Sequence, residues 1–168
     1  MLKIGDTAPS FCAANQDDVE ICSRDLAGKW IVLYFYPKDL TPGCTTQACD
    51  FTDKHSFFDA LDAVILGVSA DDTQKHRKFI DKYDLTITLL SDTDKKMCED
   101  FGVWQLKQFM GKEFMGVVRT TFIINPEGKI AAIWDKVSVR KKKSVKGEKI
   151  EILHVDEVRA KLQELQSN

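Results

Sequence analysis

What the chain lacks narrows the field first. Its longest unbroken apolar run is residues 30–36, Trp30-Ile31-Val32-Leu33-Tyr34-Phe35-Tyr36, and a membrane-crossing helix needs about twenty apolar residues. The start of the chain carries Lys3 and then Asp6, with no apolar stretch of the kind a secretory leader needs. A cytoplasmic protein with no membrane association is the expectation. There is no Cys-x-x-Cys and no His-x-x-x-His, so the spacings that mark a zinc site or a thioredoxin-type reductase are missing. Prolines number only four among 168 residues, and no repeat or low-complexity linker divides the chain, so residues 1–168 read as a single domain. The formal net charge of −2 says little about partners, and its distribution along the chain says slightly more. Five cysteines, an odd number, do not suggest a disulfide-stapled secreted domain.

What is present alternates between strand and helix periods. Phe11-Cys12-Ala13 and Val19-Glu20-Ile21 flank the turn-rich Asn15-Gln16-Asp17-Asp18, an N-terminal hairpin. Residues 30–36 are apolar throughout, as a strand covered on both faces should be. Ala48, Phe51, His55 and Phe58 recur at helical spacing. Residues 64–69 predict a second buried strand, 73–83 a polar helix, 88–90 a short strand and 94–101 a short helix. Residues 121–124 and 130–134 predict strands joined by Asn125-Pro126-Glu127-Gly128-Lys129, a hairpin signal. Val155, Val158, Leu162 and Leu165 mark a terminal amphipathic helix starting near His154 or Asp156. This order predicts an α/β fold, a mixed sheet flanked by helices with an N-terminal β-hairpin, compatible with a thioredoxin-like core. Residues 136–149 hold seven basic residues against one acidic, read as a solvated loop or hairpin rather than a nucleic-acid patch.

The chemistry concentrates in Pro37-Lys38-Asp39-Leu40-Thr41-Pro42-Gly43-Cys44-Thr45-Thr46-Gln47-Ala48-Cys49. A buried strand ends, a Pro- and Gly-containing turn follows, and a helix begins with a cysteine in its first turn. A thiol attacks as its thiolate. An ordinary cysteine has a pKa of about 8.5, and lowering it by two units requires roughly 2.7 kcal/mol. A helix N-terminus supplies about 0.3–1 kcal/mol, up to ~2 in a partly buried site. A fixed cation or direct hydrogen bonds must supply the rest. Two groups are candidates: the Thr41 hydroxyl, three residues before the cysteine, and Arg119, which arrives near the turn if strand 121–124 neighbours strand 30–36.

Pro37-x-x-x-Thr41-x-x-Cys44 resembles the active-site pattern of the peroxiredoxins. Tyr34-Phe35-Tyr36-Pro37-Lys38-Asp39, Thr41-Pro42-Gly43-Cys44-Thr45 with Cys49 five residues on, Arg119-Thr120-Thr121-Phe122-Ile123 and Gly5-Asp6-x-Ala8-Pro9-x-Phe11 resemble the bacterioferritin comigratory protein (PrxQ) subfamily. The resemblance implies a thioredoxin-like fold and thiol-dependent peroxide reduction in antioxidant defence, without metal or organic cofactor. It implies Cys44 as peroxidatic and Cys49 as resolving cysteine, with Thr41 and Arg119 orienting the peroxide. It further implies a thioredoxin-like dithiol reductant as partner and a monomer. Three departures stand out: Gln47 where relatives usually carry glutamate, Thr52 where arginine is common, and an unusually long basic segment around 140–149.

The other cysteines have plainer readings. Cys12 and Cys22 lie on the two hairpin strands and could face each other, but small buried thiols are expected in a reducing compartment. Cys98 reads as core filler, with a role as alternative resolving thiol the lesser option. His55 reads as packed or half-buried. A metal module using Cys44, Cys49 and His55 is the rival of another class, but residues five apart stand about 140° apart around a helix. The same geometry limits a Cys44–Cys49 bond: on a regular helix their Cα atoms are about 8–9 Å apart, whereas a disulfide needs about 7 Å or less. The helix must therefore unwind for the bond to close.

Overall fold

The computed structural model describes residues 2–167. Strands β1 (Cys12–Asn15) and β2 (Glu20–Cys22) form the N-terminal hairpin, and β3 (Trp30–Phe35) follows. Helices α1 (Pro42–Asp53) and α2 (His55–Ala60) lead to β4 (Ala63–Ser69), α3 (Thr73–Tyr83), β5 (Thr88–Ser91) and α4 (Lys96–Asp100). Then come β6 (Trp104–Phe109), β7 (Lys112–Val117), β8 (Thr120–Ile124), β9 (Ile130–Trp134), β10 (Arg140–Val145), β11 (Glu148–Leu153) and α5 (His154–Gln166). Seven strands make one mixed sheet in the order β2-β1-β5-β4-β3-β8-β9. Strands β3, β4 and β5 are parallel, and β8 runs antiparallel to β3.

The apolar run of β3 is explained by its place at the centre, covered on both sides. Val32 and Tyr34, with Tyr36 just beyond the strand, face a layer that includes Phe51 of α1, Phe79 of α3 and Val158 and Leu162 of α5. Ile31, Leu33 and Phe35 face Phe11, Met97, Phe101 and Phe122. All these side chains are buried, and each is worth roughly 1.5–3 kcal/mol in transfer terms.

Two features differ from the sequence reading. Hairpin β6–β7 was not anticipated. Most of it is solvent-exposed, with Leu106, Phe109, Met110, Phe114 and Met115 uncovered, so no buried face imposes a period of two. Its turn, Met110-Gly111, has φ 51° and 80°, the doubly left-handed geometry of a two-residue hairpin, but Met is a weak signal for it. The second difference concerns Cys12 and Cys22, expected as buried thiols. They stand directly opposite in the β1–β2 register, with Cα atoms 4.0 Å apart, and are joined as a disulfide. Cys12 is also exposed. Cross-strand pairing decides the matter, because it places the two Cβ atoms on one face of the hairpin.

The basic segment forms hairpin β10–β11, a two-stranded sheet separate from the main one.

Candidate active site

Helix α1 starts where the central strand's chain emerges from the sheet. Thr41 occupies the N-cap, Pro42 and Gly43 the first two helical positions and Cys44 the third. Pro suits that start, since its missing N–H would have had no intrahelical acceptor. The first helical bond runs from Thr45 N to Thr41 O at 2.8 Å. The N–H groups of Gly43 and Cys44 therefore belong to the unpartnered first turn, and no side chain caps them. The Thr41 hydroxyl, a candidate to serve the thiol, instead donates to the Lys38 carbonyl at 2.8 Å and closes the turn.

The strand adjacency inferred from sequence holds. Phe35 pairs with Thr120 in the β3–β8 register, which carries Arg119 one step past the strand end and over α1. Its Nη2 donates to Cys44 Sγ at 3.3 Å, and its Nη1 donates to Gln47 Oε1 at 2.6 Å. The planar guanidinium fork thus spans the sulfur and the helix. Residue 47 is an uncharged amide, so it brings no negative charge beside Arg119 to offset the cation's field at the sulfur. Gly43 leaves room for this closeness: a Cβ there would sit 3.2 Å from Arg119 Nη2. Cys44 is 1% exposed.

A buried cluster not foreseen from the sequence anchors the turn. Asp39, in the loop before α1, accepts from the Tyr36 hydroxyl and meets His76 Nδ1 of α3 at 2.6 Å. His76 Nε2 donates to the Leu90 carbonyl oxygen at 3.0 Å. Asp39 N donates to Asp71 Oδ2 at 2.7 Å. The side chains of Asp39 and His76 are fully enclosed. Next to this anchor Leu40 adopts φ 66°, a left-handed conformation that costs a side-chain-bearing residue energy and persists only when its surroundings hold it. Asp39 and His76 are 37 residues apart and belong to segments that look polar, so only their contact reveals them. Breaking a buried pair costs about 3–5 kcal/mol. Asp39→Ala should lower unfolding free energy by about that amount in urea titration; a loss under ~1 kcal/mol would show that the cluster does not anchor the loop.

Behind Arg119, Thr121 Oγ1 contacts His154 Nε2 at 2.9 Å. Burial pushes the His154 imidazole down to about 4, with Lys141 and Arg119 adding to the effect. The Glu157 carboxylate, 3.8 Å away, is shared with Lys141 and does not offset this. The folded state thus keeps His154 neutral where the unfolded chain, with an ordinary pKa of about 6.5, takes up a proton. Stability should fall as pH drops from about 6.5 to about 4, by on the order of 3 kcal/mol from this group. In urea titrations across that window His154→Gln should show a shallower fall than wild type; parallel curves would remove His154 as the cause.

Cys49 is partly buried on α1, five residues from Cys44, and both are free thiols on an intact helix. Burial raises the Cys49 thiol, Asp53 and Asp50 raise it further, and Arg140 works against them. Cys98 is wholly buried, and its thiol is pushed well up by burial and by Asp92, the environment expected of core filler. Thr52 Oγ1 accepts from Thr86 N at 3.3 Å, and His55 Nδ1 meets Thr86 Oγ1 at 2.7 Å. His55 is half-buried, as expected. Among the described residues, the group of His, Cys, Asp and Glu side chains close enough to share an ion is Cys12, Glu20 and Cys22, whose sulfurs are bonded to each other.

Residues 4–133 match the AhpC/TSA family. The chain is 50% identical over 139 residues to a peroxiredoxin Bcp of Bacillus subtilis, covering 83% of this chain and 88% of that one. It is 43% identical over 134 residues to a peroxiredoxin Bcp of Escherichia coli, covering 80% and 86%. Among solved structures, a PrxQ cysteine mutant from Xylella fastidiosa superposes with a TM-score of 0.85 at 32% identity, covering 99% of this chain and 98% of that one. The bacterioferritin comigratory protein of Xanthomonas campestris, described for its alkyl peroxide reduction activity, gives 0.82 at 35% identity, covering 98% of each chain.

Proposed function

Because this chain belongs to the AhpC/TSA family, and within it to the Bcp/PrxQ peroxiredoxins, which are thiol-dependent peroxidases, we propose that Cys44 is its attacking thiolate and Cys49 its resolving thiol. The observation that carries this reading is the Arg119 guanidinium on Cys44 Sγ at the start of α1. Cation, unpartnered N–H groups and helix dipole all favour negative charge there.

The Cys44 thiolate attacks one oxygen of a hydroperoxide, forming an S–O bond as the O–O bond breaks. The other oxygen leaves with a proton as water or an alcohol. Arg119 and the backbone N–H groups of the first turn stabilise the charge that moves along the O–O axis. Cys44 is left as a sulfenic acid. Cys49 sulfur then attacks Cys44 sulfur, an S–S bond forms and water departs. A thioredoxin-like protein dithiol reduces that bond and restores both thiols. Hydrogen peroxide and organic hydroperoxides fit this scheme alike, with no metal or organic cofactor taking part. We assign the reaction to a monomer in the cytoplasm. The Pro37, Pro42 and Gly43 turn holds Cys44 in register, and Thr41 acts by closing that turn.

The test is peptide mapping after one equivalent of peroxide. Cys44 and Cys49 share a tryptic peptide, residues 39–54, which should lose two hydrogens and stop accepting a thiol label. A bridge from Cys44 to Cys98, or no intramolecular bridge, would remove Cys49 from the cycle and leave Cys44 in place.

A further inference from the structure

The long basic segment is tied to the active-site helix at one point. Arg140, the first residue of β10, donates through Nη2 to Asp50 Oδ1 at 2.7 Å and through Nε to Asp50 Oδ2 at 3.2 Å. Asp50 is the residue after Cys49 and is only 3% exposed. Both of its oxygens are taken by one guanidinium, which also reaches Glu151 at 3.2 Å. A carboxylate this enclosed is costly to leave without its cation.

Helix α1 is pinned at three places beyond its first turn. Gln47 is held by Arg119, Asp50 by Arg140, and Phe51 stacks on Tyr34 with ring centroids 4.7 Å apart. A regular helix cannot bring residues five apart into a disulfide. Rotating the turn that carries Cys49 toward Cys44 drags Asp50 out of its ion pair.

We infer that Arg140 is a positioning residue that clamps α1 through Asp50 and so sets how fast Cys49 reaches oxidised Cys44. This rests on the Cys44–Cys49 reading above and adds a residue, and a brake, to it. The brake lengthens the life of the sulfenic acid, and with it the exposure of Cys44 to a second peroxide that carries it to sulfinic acid. Arg140 touches neither sulfur and takes no part in peroxide attack.

A second role for Arg140 is distinguishable, because it is also the cation that faces Cys49 against Asp50 and Asp53. If it acted only by offsetting those carboxylates, Arg140→Met would slow bridge closure and Asp50→Asn would speed it. A clamp predicts that both variants speed it. The experiment mixes reduced protein with one equivalent of hydrogen peroxide, quenches with acid and an alkylating label, and counts sulfenic acid and bridge by mass. In both variants sulfenic acid should form at the wild-type rate. Bridge closure should quicken by roughly tenfold, the equivalent of 1.4 kcal/mol. Both should also need more peroxide to inactivate during turnover. Arg140→Lys, which keeps the charge but not the two-pronged grip, should fall between. Asp50→Asn is nearly isosteric and keeps the helix packed if Arg140→Met does not fold. Unchanged closure, slower closure in both variants, or shifts of opposite sign would each overturn the clamp. Wild-type protein that forms no Cys44–Cys49 bridge would overturn the pairing itself, and the clamp with it.

Discussion

Cys44→Ser reduces peroxide turnover to the uncatalysed background. A serine hydroxyl at the same place has the same neighbours, Arg119 and the open first turn, but it is barely ionised at neutral pH and is a poor nucleophile toward an O–O bond. The substitution changes one atom and leaves the packing around residue 44 nearly intact, so the loss is chemical rather than structural. The assay is hydrogen peroxide consumption with thioredoxin, its reductase and NADPH. Near-wild-type turnover in Cys44→Ser would remove this residue from the mechanism and leave Cys49 or Cys98 to explain the activity.

Arg119→Ala lowers the rate of the first chemical step by roughly a hundredfold or more, the scale seen when a charged donor is taken from the site of developing negative charge. The guanidinium 3.3 Å from Cys44 Sγ favours the thiolate in the ground state and a departing oxygen in the transition state. Removing it affects both. Arg119→Lys restores only part, because an ammonium cannot reach Cys44 and Gln47 at once. Stopped-flow oxidation with excess peroxide reads the step directly, and the rate of thiol alkylation at fixed pH reads the ground-state share. An Arg119→Ala protein that oxidises within a few-fold of wild type would mean that the guanidinium does not act on the reacting sulfur.

The elements read most faithfully from the sequence are those with one dominant physical cause. β3 is apolar on both sides because it is central. α3 occupies residues 73–83 as expected because a capping Asp72 precedes it, accepting from Lys75 N at 2.8 Å. The reach of Arg119 to Cys44 followed from a single assumption, that β8 neighbours β3. Illegible were features whose causes lie in contacts between distant residues. Asp39 reads as a turn residue and His76 as part of a polar helix until the two meet. Gln47 reads as a departure from the family pattern, and its hydrogen bond to Arg119 shows what the amide does. Hairpin β6–β7 is covered only at its base, by Trp104 and Val117, and so leaves no periodic trace. Thr41 is a candidate partner of the thiol by its place three residues before Cys44, whereas its hydroxyl closes the loop on Lys38.

The antiparallel seam between β3 and β8 also decides when the site comes into being. Cys44 and its cation lie 75 residues apart in the chain. A ribosome-bound chain therefore displays Cys44 and Cys49 long before Arg119 exists to act on either. Until β8 docks, the cation that contacts Cys44 in the folded chain is absent. Under the proposed chemistry, reactivity toward peroxide comes only with the last two strands of the sheet, and the rate of Cys44 oxidation during refolding should report closure of that seam.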